Sequence, residues 1–290
     1  MPTSCSIAMQ KIVTIALLLS SFYATAQDEA TGWSVGITAQ PANYWLYNYN
    51  DYHTAEFEIK PSGNTLGSFN AIAGGITAAY QWHENWAAQT ELTYSTQQQN
   101  YTAHEPFTTI KGYTQLNYLK LPISVAYYIP IQTENANFVY FNMGVQGSFL
   151  TSYYQESHYL NEPNGPQDDY KVVWQNQNLT YNQYATSMFT QPGSSSHVID
   201  WAFNRFVFGG IFSVGWRRVF SNNLTLSVGL RSEYDITNAD NLGAKIHTDN
   251  SPIWSTGVAL DGNNTANSRV RPVSHNIRAG LELGLSYHFE

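Results

Sequence analysis

Eight ionisable side chains stand inside stretches that otherwise alternate between large apolar and small residues: Glu91, Lys120, Arg217, Arg231, Glu233, Asp235, Arg278 and Glu282. Several are spaced by two or four, as in Arg231-Ser-Glu233-Tyr-Asp235 and Arg278-Ala-Gly-Leu-Glu282, which puts them on one face of an extended strand. Such a set can line an ion pathway, or it can pair internally and fill a narrow interior. An unpaired buried charge is very costly, which favours the paired, structural lumen network, with Arg231 and Arg278 close enough to share Glu233 and Glu282. Hydrolytic chemistry would need a nucleophile, a base and an orienting group. The candidates are His104, His158, His197, His247 and His275, with Asp200, Asp235 or a neighbouring Ser, and no spacing links them into such a group. The oxygen-rich stretches "EPNGPQDD" (162–169) and "DGNN" (261–264) lack the twelve-residue calcium-loop pattern and read first as turns. No cofactor, metal or catalytic residue is expected, and the chain is not expected to be an enzyme.

The elements that would position the charges are strands. The last one, "IRAGLELGLSYHFE", sets Ile277, Leu281, Leu283, Leu285, Tyr287 and Phe289 against Arg278, Gly280, Glu282, Gly284, Ser286 and His288. The same parity recurs over 32–40, 69–82, 86–98, 113–129, 137–153, 205–219 and 224–236, giving eight strands with both chain ends on one side. Connections alternate between tight turns (83–85, 130–136, 220–223) and long segments (41–67, 101–112, 155–203, 237–273). Short turns at one end and long loops at the other are the pattern of an outer-membrane barrel, whose interior at eight strands is just wide enough for side chains. The expected fold is therefore all-β, an eight-stranded antiparallel transmembrane β-barrel with short periplasmic turns and long extracellular loops. Its small and charged parity faces inward and its apolar parity faces lipid. Trp82, Trp86, Tyr128, Trp216, Tyr287 and Phe289 gather at strand ends as a periplasmic aromatic girdle. A soluble barrel with an oily ligand cavity is the rival.

Composition agrees with strands: 15% aromatic residues, 21 of them Tyr, against only 12% charged. Near the N-terminus, Lys11 precedes "IVTIALLLSSF" and then Ala24-Thr25-Ala26, the order of a signal peptide and its cleavage site. Residues 1–26 are read as a signal peptide, with Met9 as an alternative start, and 27–290 as the outer-membrane β-barrel domain. The one cysteine, Cys5, falls in the removed segment, so disulfides and thiol chemistry are excluded from the exported chain. Without Lys11, 12 basic residues face 21 acidic ones, and nucleic acid is an unsuitable partner.

"AAYQWHENWAAQTELTYS" (78–95), "LNYLKLPISVAYYI" (116–129) and the closing "LGLSYHF" together resemble the PorT-like outer-membrane β-barrel family of Bacteroidetes. The resemblance implies the same barrel fold and a bend or bulge at Pro122. It also implies a C-terminal strand that is handed to the barrel-assembly machinery, and an accessory role in secretion or envelope assembly. Glu290 departs from it, since the family's final strand ends on the aromatic residue itself. Segment 155–203, rich in Tyr, Asn and Gln with five acids and one Lys, is the expected contact for a protein or glycan partner; a passive cap over the mouth is the plainer alternative. A structural or interaction role through the external loops is thus expected, with a narrow porin or small-solute channel and an outer-membrane lipid- or peptide-hydrolysing barrel as alternatives.

Overall fold

Alternation with period two carries the chain into strands, and the strands pair into a closed ring. The computed structural model describes residues 31–48, 56–60, 69–105, 108–132, 136–161, 169–184, 193–220, 223–242 and 273–289. The twelve strands are β1 (Gly32–Asn48), β2 (Glu56–Lys60), β3 (Ala71–His83), β4 (Trp86–Glu105), β5 (Thr108–Gln132) and β6 (Asn137–Asn161), followed by β7 (Asp169–Gln175), β8 (Asn178–Tyr184), β9 (Gly193–Val198), β10 (Phe206–Val219), β11 (Leu224–Asp235) and β12 (Ser274–Phe289). Eight of them form the antiparallel ring β1-β3-β4-β5-β6-β10-β11-β12, sealed by the pairing of β12 with β1 and of β10 with β6.

The faces are inverted relative to a water-soluble protein. Ile37, Ile72, Met143 and Leu230 are each 60% or more exposed on the outside, while Glu91, Lys120, Arg231, Glu233, Asp235, Arg278 and Glu282 are 2–5% exposed within. On β5 the outward apolar run from Leu119 to Ile129 covers eleven residues, ten steps and so roughly 25 Å of height at about 3.3 Å per residue and a 40° tilt. That matches the apolar band of a membrane-spanning ring.

Most of the described residues within 41–67, 101–112 and 155–203 are strands, contrary to the expectation of loops there. β1 runs on to Asn48, β2 pairs with the far half of β4, and β4 and β5 stay paired out to Glu105 and Thr108. Segment 155–203 continues β6 and adds β7, β8 and β9 to its side. These stretches escape an apolar count because their outward face is polar beyond the band and their inward face mixes aromatic with polar residues. β7 and β8 are joined through Asn176, whose φ of 53° suits the left-handed geometry of a two-residue hairpin turn.

Thr151 is the extra residue of a bulge opposite Asn117 and Tyr118. Inward residues on β6 are even-numbered up to Leu150 and odd-numbered from Tyr153, so the bulge turns Tyr153, Gln155 and Ser157 inward past the band. No bulge lies at Pro122. The β4–β5 pairing lapses opposite Pro122 without a change of register, because proline offers no N–H. Pro41 interrupts β1–β12 in the same way.

Candidate functional site

The interior is filled by inward residues of every ring strand. At mid-height Glu233 is the hub: Lys120 Nζ donates to it at 2.6 Å, Arg231 Nε at 2.9 Å and Arg278 Nη1 at 3.0 Å. Gln146 Nε2 adds a 3.5 Å contact. Arg231 Nη1 also holds both oxygens of Glu91, at 2.9 and 3.0 Å, and lies 3.5 Å from Glu282. Arg231 and Arg278 therefore share Glu233, and only Arg231 reaches Glu282.

The two proline gaps feed this network. Glu91 stands where the β4–β5 pairing lapses, and Gln40 where β1–β12 does. The freed Gln40 carbonyl accepts a hydrogen bond from Arg278, and the Pro122 carbonyl accepts one from Thr90 at 3.1 Å. Gln40 and Gln89 donate to Glu91 at 3.1 and 3.0 Å. Main-chain acceptors released from the ladder are thus taken up by side chains, as buried polar groups require.

Above the network, Asp235 accepts from Asn276 at 2.6 Å, and Asn276 in turn accepts from Tyr44 at 2.7 Å. Over that layer lies an apolar plug of Leu116, Leu150, Tyr153, Ile199, Phe203 and Val207. Its inner wall comes from segment 199–204, which is bound to 237–242 by Asn204 N to Ala239 O at 2.8 Å and Asn241 N to Ala202 O at 3.0 Å. Below the network a chamber of about 60 Å³, large enough for a few waters, is lined by Thr38, Gln89, Tyr140, Arg217, Thr225 and Glu282 among others.

Arg217 stands apart from the other seven charges. It is half-buried at this lower end, its guanidinium 4.3 Å from the centre of the Tyr128 ring. Tyr128 itself corrects the expected girdle: it is 6% exposed and points inward. Tyr127 shares the outward parity of Leu119 to Val125 and packs against Trp86 at 4.6 Å, so the residue after it must face the interior. Trp82, Trp86 and Tyr287 are exposed, Trp216 and Phe289 partly so, and Tyr287 meets Phe289 edge-on at 5.2 Å. Trp33 and Tyr80, paired at 5.0 Å, join them; their outward parity and strand-end position were the available signals. Gln40, Gln89, Gln146, Tyr44 and Asn276 were also missed as interior partners, although each lies on an inward parity.

The histidines are dispersed. His275 Nδ1 lies 3.0 Å from the Asp235 main-chain oxygen and its ring stacks on Tyr234, while His158 faces outward on the far half of β6. The side chains of His104 and His197, all of His247, and the stretches 162–168 and 261–264 lie outside the described residues. Among the described residues no three His, Cys, Asp or Glu side chains converge as metal ligands.

A closed antiparallel ring with a polar, filled interior and an apolar outer band defines an outer-membrane β-barrel protein. Residues 26–241 match the outer membrane protein beta-barrel domain family, and the chain belongs to that family. No curated protein matches it in sequence. Solved structures similar in fold include the outer membrane protein OprG from Pseudomonas aeruginosa, at 11% identity and a TM-score of 0.36 over 90% of this chain and 97% of that one. The outer membrane protease OmpT from Escherichia coli is similar at 11% identity and a TM-score of 0.42, over 91% and 99%. Ail, the attachment invasion locus protein of Yersinia pestis, aligns at 12% identity and a TM-score of 0.28, over 88% and 99%.

Proposed function

We propose that this outer-membrane barrel is a closed, non-catalytic, eight-stranded scaffold that crosses the membrane with its short turns in the periplasm and holds an external sheet for recognition. The observation that carries the reading is the sealed interior. A six-member charge network and an apolar plug lie in series, while β6 to β9 extend as an ordered sheet well past the apolar band. Protein is thus invested outside the band instead of in a pore. Export through signal peptide 1–26, insertion through the C-terminal strand by the assembly machinery, lipid around the band, and kinship with the PorT-like barrels complete the proposal. Orientation is directly testable, because the only cysteine, Cys5, lies in the proposed leader. A cysteine at Gln177, in the β7–β8 turn, is expected to react with a membrane-impermeant maleimide on intact cells, and one at Asn85 only after the outer membrane is opened. The opposite labelling would overturn the reading.

A further inference from the structure

Beyond the apolar band, the outward face of β4 to β7 changes character row by row. The band ends at Tyr94, Leu119 and Phe149. The next rows are amides and hydroxyls: Gln115 accepts from Tyr113 at 2.8 Å, and Asn117 donates to Ser152 at 2.9 Å. The Tyr113 and Tyr154 rings lie beside them, 6.1 Å apart. At the top, Lys111 pairs in register with His158, and His158 with Lys171, so three nitrogen-bearing side chains stand abreast on adjacent strands. Neighbouring strands are roughly 4.8 Å apart, which puts the row within reach of one anionic group. Glu156 sits one row below, ion-paired to Lys171 at 2.8 Å and accepting from Tyr154. In a chain of net charge −8, two of the few lysines have been placed in this row.

Height decides the ligand. Lys111 is eight residues past Leu119, roughly 20 Å above the band at about 3.3 Å per residue and a 40° tilt. Phospholipid headgroups occupy only about 5–8 Å outside the hydrocarbon core. An anion at the level of Lys111 belongs to a taller molecule, and the face beneath offers aromatic rings and amides suited to sugar hydroxyls. The face continues the lipid-facing band without a break, so its occupant is the molecule standing in the leaflet beside it.

We infer that the outward face of β4–β7 binds the acidic core saccharide of an outer-leaflet glycolipid, with Tyr113, Gln115 and Tyr154 against the sugars and the Lys111–His158–Lys171 row on its phosphate or carboxylate. This rests on the proposed orientation. The full-length mature barrel, with folding confirmed by its heat-sensitive gel mobility, is titrated in nanodiscs with three lipids: rough-type lipopolysaccharide carrying an acidic core, lipid A stripped of that core, and phosphatidylglycerol. Lys111→Gln/Lys171→Gln is expected to weaken lipopolysaccharide binding about tenfold and leave lipid A unchanged, while Lys111→Arg/Lys171→Arg retains binding. Equal wild-type affinity for all three lipids, or a double Gln variant that loses lipid A equally or loses nothing, would overturn it. The titration has no sidedness, so a reversed cysteine-labelling result would fail the orientation without deciding the binding.

Discussion

The Lys120 ammonium donates to the Glu233 carboxylate at 2.6 Å across the interior, from β5 to β11, strands that are three places apart in the ring. Both side chains are 3% exposed. Glu233 also receives Arg231 and Arg278, so one carboxylate ties three cations from three strands into a single cross-brace.

Removing that carboxylate charge should be far more damaging than its size suggests. Glu233→Gln leaves buried cations without compensation, and the expected loss is about 3–5 kcal/mol in reversible urea unfolding of the barrel in lipid vesicles. Arg217→Ala, at the half-buried lower end, should cost about 1 kcal/mol or less. Equal losses would mean that Glu233 is not the hub.

Tyr140 lies across two glycines. A Cβ on Gly229 would run into the Tyr140 hydroxyl, and one on Gly215 would come within 2.7 Å of its ring. Gly229→Ala is expected to destabilise by about 1–3 kcal/mol, and by less in a Tyr140→Ala background, where only the 2.7 Å approach to the Val214 main-chain oxygen and the 3.1 Å approach to the Gly215 Cα remain. Additivity of the two within about 0.5 kcal/mol in the double-mutant cycle would refute the contact.

The sheet of β6 to β8 beyond the band should loosen in acid. Burial pushes the Glu156 carboxyl up, but hydrogen bonds from Lys171 and Tyr154 outweigh it and hold the group below its ordinary value of 4.5. A carboxyl depressed in the folded state contributes stability that is fully present above its unfolded value and lost as the pH falls through the folded one. Amide protection in β7 and β8, taken relative to the intrinsic exchange rate at each pH, should therefore fall below about pH 4.5 in the wild type, and Glu156→Gln should show lower protection at neutral pH with a flatter profile. An identical pH profile in both would remove Glu156 from the account.

Parity made the ring legible: alternation located its eight strands, and their inward residues included the charges of the central network. Parity also contained the correction at Tyr128, which a search for aromatics at strand ends overrode. The strands beyond the band were illegible for a different reason. Past the band the outward face is polar and the inward face mixes Tyr153 with Gln155 and Ser157, so "TTIKGYTQ" and "TSYYQESHY" carry no alternating apolar signal even though they pair continuously. The plug was hidden because Ile199 and Phe203 sit in a connecting segment whose inward turn depends on contacts with residues 237–242, far along the chain.

The central claim, that the interior is sealed and the protein acts through its external face, meets its most direct test in planar-bilayer recording of the purified, folded barrel. The account predicts no current steps above the protein-free background in 1 M salt, because the charge network and the apolar plug lie in series. Stable, reproducible conductance steps from folded protein would contradict it.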